Sequence, residues 1–160
     1  MSVIETNNLQ KRYQVGENSV HAVDGVDLNI REGEFVCISG RSGSGKSTLL
    51  SLLAGLESPT DGEVILMGEH LEQMNEQERG RFRRDHIGFI FQAYNLLPQF
   101  SSWENVAVPL EIRGVPLEQR REKAMEALEM VGLRDHAEHR PTELSGGQQQ
   151  RISIARAIIT

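Results

Sequence analysis

Apolar and polar side chains alternate in the first part of the chain, as they do in half-buried β-strands. In the clearest stretch Val26, Leu28 and Ile30 are separated by single polar residues. A period of two places apolar side chains on one face, so residues 2–35 predict antiparallel strands packed on one side. Turns are expected at residues 16–18, 24–25 and 32–33, where glycine stands beside polar residues.

Two runs of consecutive apolar residues, at 35–38 and 87–91, predict strands of another kind. Continuous apolar character indicates a strand buried on both faces, which is typical of a parallel sheet. Cys37 lies inside the first run, and we expect it to pack as a small hydrophobic side chain. After a turn at residues 58–62, a further strand is predicted at residues 63–68.

Capping pairs and helical periodicity predict the remaining elements. A helix is expected to end near residue 85, a second to be limited by Pro109 and Gly114, and a third to cover residues 117–131. The arginines of the first helix are interpreted as a solvated face. The capping pairs are Asn75 with Glu78 and Ser101 with Glu104; the expected buried positions of the third helix are Leu117, Ala124, Leu128 and Val131.

Composition and charge exclude few functions. The chain has 160 residues, 38% of them hydrophobic and 25% charged, and its net charge of −6 argues against a main role in binding duplex nucleic acid. Cys37 is the single cysteine, so no internal disulfide is possible and a reducing compartment fits. We find no signal peptide, and the longest apolar stretch, residues 49–56, is far short of a membrane span. Any membrane role is therefore expected to come through a partner.

The most informative stretch is residues 40–48, which follow the apolar run at 35–38 and lead into a segment expected to be helical. They carry the pattern G-x-x-x-x-G-K-[ST], whose glycines let backbone N–H groups turn inward around phosphate oxygens at a helix N-terminus. We expect Lys46 to reach the β- and γ-phosphates, Ser47 to bind Mg²⁺ and Thr48 to lie near the α-phosphate. The candidate ATP-binding residues of this loop are Gly40, Arg41, Ser42, Gly43, Ser44, Gly45, Lys46, Ser47 and Thr48.

Three other positions are candidates on weaker signals. Tyr13 lies on the early sheet, where an aromatic ring can stack on adenine, although a core or surface role is the commoner explanation. Gln92 follows the run at 87–91, and open α/β sheets place ligands at the carboxyl ends of their strands. Ser145 is a good N-cap, and the two glycines after it leave the next helix open to an anion; an ordinary capped helix is the alternative.

Two further features have simpler interpretations. His136 and His139 have a metal-ligand spacing, but no other ligand type clusters nearby, so no metal site is expected. Trp103 and the pair at residues 96–97 are either packing residues or an exposed docking surface, and the sequence alone favours packing.

Taken together, these residues resemble the ATP-binding subunit of an ABC transporter. Residues 40–47 match that family's Walker A loop and residues 144–148 its LSGGQ signature. Gln92 matches the Q-loop glutamine, and Tyr13 matches the adenine-stacking aromatic. Four features in the family's order and approximate spacing make the resemblance specific.

The resemblance implies an α/β fold of the P-loop NTPase type, with a parallel-sheet core, an N-terminal antiparallel β subdomain and a helical subdomain. It divides this single, incomplete domain into a β subdomain and P-loop core at 1–92, a helical subdomain at 93–144 and a signature helix at 145–160. The sequence at 89–98 and 104–110 is similar to lipoprotein-release, macrolide-export and cell-division ATPases. Export or release of a lipoprotein, lipid-like or drug-like substrate is therefore expected.

The same resemblance implies a head-to-tail homodimer with two ATP molecules at the interface. The signature of one copy would point at the γ-phosphate held by the Walker A loop of the other, and Gln92 would position Mg²⁺ and the attacking water. A polytopic membrane subunit would dock between Gln92 and Trp103, which places the protein in the cytoplasm, on the inner face of the membrane. The signature residues acting in trans are Leu144, Ser145, Gly146, Gly147 and Gln148; the metal candidates are Ser47 and Gln92.

One part of the family pattern is missing. No apolar run ending in the Walker B Asp and catalytic Glu occurs in the chain, and none of its histidines fits the family's switch histidine. Phosphoryl transfer needs an acidic group for Mg²⁺ and a group that orients the attacking water. We interpret the chain as truncated, and expect it by itself to be poorly soluble, to bind ATP weakly and not to hydrolyse it.

Two alternatives stay open at this point. One is a soluble ABC-type ATPase that acts on DNA or ribosomes, although residues 49–143 leave no room for the long heptad insertion of DNA-repair members. The other is a non-hydrolysing fragment that only binds nucleotide or a partner, which the missing acidic residues keep possible.

Overall fold

The computed structural model describes residues 2–159, which form two compact units, one ending at Arg81 and the other beginning at Phe82. The first unit contains every β-strand assigned within that range, and the second consists of helices and connecting segments. Each unit has its own set of buried apolar side chains.

In the first unit, four strands form one antiparallel sheet in the order β2-β1-β3-β4. The alternating pattern of residues 2–35 is confirmed, and the turn expected at residues 16–18 joins the two long strands. The strand predicted at residues 63–68 is confirmed, with Leu66 as its last residue. The strands are β1 (Ser2–Val15), β2 (Asn18–Arg31), β3 (Asp61–Leu66) and β4 (Glu69–His70).

The turn predicted at residues 24–25 is wrong, because these residues lie inside β2. The register of the pairing between β1 and β2 shifts between Leu9 and Lys11. Gly25 has a φ of 68°, a left-handed conformation that glycine adopts readily because it has no Cβ. The strand therefore bulges at this point and continues, instead of reversing.

Helix α1 (Lys46–Leu53) packs against β2 and β3. Leu52 of this helix is buried, as are Leu9 of β1 and Val64 of β3. A second helix, α2 (Glu76–His86), begins in this unit at the predicted capping box and has its last turn in the second unit. There the Asn75 carboxamide oxygen accepts two backbone N–H groups at 3.0 Å, and Glu78 accepts the N–H of Asn75 at 2.9 Å. A 3₁₀ turn (Leu71–Gln73) precedes α2.

The second unit is built on three helices around one apolar cluster. The capping box of Ser101 with Glu104 is confirmed at the start of α3, but Pro109 lies inside this helix and does not limit it. Proline removes only one backbone donor, and α3 keeps its conformation because its apolar side chains are buried. The helices are α3 (Ser102–Ile112), α4 (Leu117–Met130) and α5 (Gly146–Ile158), with 3₁₀ turns at Arg134–His136 and Pro141–Glu143.

The predicted buried face of α4 is largely confirmed. Ala124 and Leu128 are fully buried, and Val131 packs against the same cluster. Leu117 is instead 54% exposed, because it is the first residue of the helix and lies beyond the packed turns. The packing interpretation of Trp103 is confirmed, since its ring packs against this cluster; so is that of Leu96.

The strands predicted at 35–38 and 87–91 are not formed within the described residues. Phe35 is 97% exposed and Ile90 is 46% exposed, and Cys37 is exposed instead of packed. A strand of a parallel sheet is stable only when neighbouring strands satisfy its backbone groups and cover its faces. Neither segment has such a neighbour in the described part of the chain, so apolar character alone does not make it a strand.

Asn105 is a buried polar residue at the start of α3, with an exposure of 0%. Its side-chain oxygen accepts the backbone N–H of Leu97 at 2.7 Å. Its nitrogen contacts the carbonyl oxygens of Leu97, Phe100 and Ser101 at 3.0–3.2 Å. Buried polar groups need such partners, so Asn105 holds the loop before α3 against the helix.

We predict that Asn105→Ala lowers the free energy of unfolding of this unit by about 2–4 kcal/mol, because it leaves several buried backbone groups unpaired. The measurement is urea unfolding followed by the fluorescence of Trp103, the single tryptophan, which reports on this cluster. Glu126→Ala, on the exposed face of α4, is the matched control and is expected to change little. An Asn105→Ala curve that overlays the control would contradict this role.

Candidate functional site

The phosphate-loop candidate leads directly into α1, as the sequence predicts. Gly45 is the N-cap of α1, with a φ of 85°, and no side chain caps the helix. A Cβ built on Gly45 would lie 2.0 Å from the carbonyl oxygen of Ala22. Gly45 is therefore required both by its left-handed backbone and by its close approach to β2. The uncapped first turn leaves backbone N–H groups available to an anion.

The Lys46 ammonium lies over the same loop. It donates to the carbonyl oxygen of Arg41 at 2.7 Å and lies 3.4 Å from the hydroxyl oxygen of Ser44. The loop residues Arg41, Ser42, Gly43 and Ser44 are all exposed. An ammonium group and uncapped amides at one exposed helix end suit a phosphate group.

Tyr13 lies on β1, and its hydroxyl group is bonded to the segment that follows α1. The phenol donates to a carboxylate oxygen of Glu57 at 2.6 Å, and the hydroxyl of Thr48 also interacts with it. Burial, together with the bond to Glu57, raises the pKa of the Tyr13 hydroxyl, which therefore stays protonated at neutral pH. Tyr13 thus lies beside the helix that begins with the phosphate loop.

In the second unit, the signature residues form the N-terminus of α5. Ser145 is the N-cap, and its hydroxyl oxygen accepts the N–H of Gln148 at 3.3 Å. Ser145, Gly146 and Gly147 are exposed, whereas Leu144 is buried. The hydroxyl proton of Ser145 is not used in this cap, so the side chain can still donate to an anion.

Two glutamines hold this segment in place. Gln148 accepts the N–H of Ser145 at 2.8 Å, and its amide nitrogen lies 3.1 Å from Nε2 of His136. An amide nitrogen can only donate, so His136 accepts this bond with Nε2. Gln149 donates to the carbonyl oxygens of Pro141 and Leu144 at 2.9 and 3.2 Å. These hydrogen bonds therefore fix the backbone on either side of the exposed glycines.

Gln92 is exposed and lies in a turn, not at the end of a strand as predicted. The residues soon after it are held by α5. Arg156 donates to the carbonyl oxygens of Tyr94 and Asn95, both at 2.7 Å, and these two residues have φ values of 60° and 48°. Burial lowers the pKa of the Arg156 guanidinium, and the two carbonyl acceptors offset part of the cost of burying its charge. The segment after Gln92 is therefore bonded to the signature helix.

One group of metal-ligand side chains occurs within residues 2–159, outside these candidates: Glu63, His70 and Glu72. Glu63 accepts from Asn7, and Glu72 bonds both His70 Nδ1 at 2.9 Å and the N–H of Val64 at 3.1 Å. Each of these side chains already has a protein partner, so we assign no ion to them.

Sequence reasoning missed the residues that hold these candidates in position. Glu57, His136 and Arg156 bond Tyr13, Gln148 and the segment after Gln92, respectively. No local pattern marks them, because each acts on a residue that is distant along the chain. Only the folded structure brings the partners together.

Comparison with known proteins decides the family. The ABC transporter family model matches residues 23–160. The ABC transporter ATP-binding protein YtrE of Bacillus subtilis is 46% identical over 161 residues, which cover 98% of this chain and 70% of that protein. The chain belongs to the ABC transporter ATP-binding family.

Two further comparisons agree with this assignment. The lipoprotein-releasing system ATP-binding protein LolD of Psychrobacter arcticus is 48% identical over 160 residues, covering 99% of this chain and 71% of that protein. The ATP-binding cassette MJ0796, solved as a dimer bound to ADP and Pi, matches with a TM-score of 0.94 and 44% identity over 98% of this chain and 69% of that one. The fold class expected for an ABC cassette is thus confirmed, and so is the family resemblance.

This ABC ATP-binding chain is a nucleotide-binding subunit by family. None of the helices within residues 2–159 is long and apolar enough to span a membrane. Its phosphate-loop residues and Tyr13 lie together in the first unit, and its Gln92 segment and signature lie together in the second.

We predict that Gly45→Ala lowers the free energy of unfolding by about 2–4 kcal/mol, because the new methyl group would overlap the Ala22 carbonyl. Gly43→Ala is the matched control, because Gly43 has a similar φ of 79° but nothing within 4 Å of a built Cβ. Backbone strain alone should lower the free energy of unfolding of Gly43→Ala by about 1 kcal/mol. Urea unfolding followed by circular dichroism compares them, and equal costs would contradict the close approach at Gly45.

Proposed function

We propose that this ABC ATP-binding chain binds ATP with residues 40–48 around the phosphates and Tyr13 against the adenine ring. The observation that carries this proposal is the uncapped N-terminus of α1 at Gly45, with the Lys46 ammonium over the same loop. Tyr13 contributes an aromatic ring on β1 that is bonded to the segment after α1. A phosphate chain and an aromatic base are the two chemical groups that these features suit.

Mg²⁺ is the natural companion of the bound triphosphate, where it neutralises negative charge. Its ligands in this chain are proposed to be the hydroxyl of Ser47 and the carboxamide oxygen of Gln92. Both side chains are exposed and offer the hard oxygen atoms that Mg²⁺ prefers. Gln92 would also orient the attacking water.

The catalytic site is proposed to be complete only between two copies of the chain. In this proposal Ser145, Gly146 and Gly147 of one copy face the γ-phosphate bound by the other, and Leu144 and Gln148 support them. The support for it is that the three residues are exposed at the N-terminus of a 13-residue helix. The dimeric state of the cassette MJ0796 agrees with such an arrangement.

A membrane subunit is the proposed second partner, docking between Gln92 and Trp103 from the cytoplasmic side. A pocket of about 190 Å³ beside the packed ring of Trp103 could take one side chain of such a partner, and its lining includes Phe100, Trp103, Ala107, Glu111 and Arg120. The name of the relative LolD makes lipoprotein release the first substrate class to test. Lipid-like and drug-like substrates belong to the same proposal.

Three consecutive segments of the chain are proposed to have different roles. Residues 1–92 bind nucleotide, residues 93–144 contact the membrane partner and residues 145–160 carry the signature.

The 160-residue chain by itself is proposed to bind ATP weakly without hydrolysing it. It contains no Walker B acidic pair to hold Mg²⁺ and orient water. The exposed apolar side chains at Phe35 and Ile90 support the expectation of poor solubility.

We predict that Lys46→Ala weakens ATP binding to the 160-residue chain about tenfold or more, because it removes the ammonium group at the phosphate loop. Isothermal titration calorimetry measures this, and Lys123→Ala on the exposed face of α4 is the matched control. Phosphate release from ATP should stay at background for the 160-residue chain and for Lys46→Ala. Turnover by the 160-residue chain that disappears in Lys46→Ala would contradict the proposal that it is inactive alone.

A further inference from the structure

Glu57 connects Tyr13 to the helix of the phosphate loop. It follows α1 closely, and the backbone N–H groups of Leu56 and Glu57 both reach the carbonyl oxygen of Ser51, at 2.8 and 3.4 Å. The Glu57 carboxylate accepts the Tyr13 hydroxyl at 2.6 Å. A short, charge-assisted hydrogen bond therefore joins the tyrosine on β1 to the C-terminal end of the helix whose N-terminus carries the phosphate loop.

Lys11 holds both partners of this bond. Its ammonium lies 3.4 Å from the same Glu57 oxygen, donates to the carbonyl oxygen of Ser58 at 2.8 Å and lies over the Tyr13 ring, 5.2 Å from its centroid. Lys11 and Tyr13 share a face of β1 because they are two residues apart. The Lys11 side chain is 16% exposed, so its contacts are better shielded from solvent than those of a surface ion pair.

These contacts fix the ring in two ways. The bond to Glu57 holds the far end of the tyrosine, which limits rotation of the ring about its side-chain torsions. The ammonium of Lys11 lies over one face of the ring, so a nucleobase would have to stack on the opposite face. Ordering the ring in advance reduces the conformational entropy that the Tyr13 side chain loses when a nucleobase binds.

We propose that Glu57, with Lys11, is a positioning residue that orders the Tyr13 ring for a nucleobase and so sets the preference for a nucleoside triphosphate over a bare triphosphate. This inference rests on the proposed function, since it assumes that Tyr13 stacks on the base. It differs from a general role in stability, because ordering the ring affects the base and leaves the phosphates unaffected.

The test compares ATP with inorganic triphosphate by isothermal titration calorimetry on the 160-residue chain. Glu57→Ala and Tyr13→Phe should each weaken ATP binding by roughly three- to tenfold, the cost of ordering one side chain on binding, and leave triphosphate binding unchanged. The double variant should bind ATP no more weakly than either single variant, because both remove the same bond. Glu17→Ala, in the turn after β1, is the control.

Glu57→Gln keeps an acceptor oxygen for the Tyr13 hydroxyl, so it should recover most of the ATP affinity that Glu57→Ala loses. A general loss of stability at position 57 would not be reversed in this way. Two outcomes would overturn the inference: Glu57→Ala that binds ATP as the unsubstituted chain does, or Glu57→Ala that weakens ATP and triphosphate equally. Tyr13→Ala separates this from the proposed function. If Tyr13→Ala leaves the ratio of the two affinities unchanged, the stacking role of Tyr13 itself is wrong.

Discussion

The first turn of an α-helix leaves backbone N–H groups without intrahelical acceptors, and the candidate sites of this chain depend on how those groups are treated. At α1 no side chain caps the helix, and Gly45 turns the preceding loop across its end. At α5 Ser145 caps one N–H group, while two exposed glycines extend the same helix end. Both helix ends therefore suit negative charge, one through an ammonium and open amides, the other through a hydroxyl and glycine amides.

Each of these helix ends is held by contacts that lie away from it. Gly45 meets the Ala22 carbonyl of β2, so the sheet fixes where the phosphate loop runs. The far end of α1 is joined through Glu57 to Tyr13, so one rigid helix connects the phosphate-binding and base-binding candidates. At α5 the support is His136, which bonds Gln148 of the signature, whereas Arg156 further along the helix bonds the segment after Gln92.

Structural features that depend on residues close together in the sequence were mostly predicted. The capping boxes at Asn75 and Ser101, and the glycine pattern around Gly45, depend on residues a few positions apart, and all three structures are formed. The runs at 35–38 and 87–91 could not be assigned from their own residues, because a buried strand is defined by its neighbours. Glu57 and Arg156 could not be found either, because their partners are far away in the sequence. The bulge at Gly25 resembled a turn because both conformations use a positive φ.

We propose that the two helix ends act on one nucleotide from two different copies of the chain. Size-exclusion chromatography with light scattering tests this on the protein with and without a slowly hydrolysed ATP analogue. We expect the analogue to produce a dimer, and we expect Ser145→Arg to abolish dimer formation without weakening nucleotide binding, because the larger, charged side chain blocks the surface of the signature. If Ser145→Arg dimerises with the analogue to the same extent as the unsubstituted protein does, the two copies do not share the nucleotide in this way.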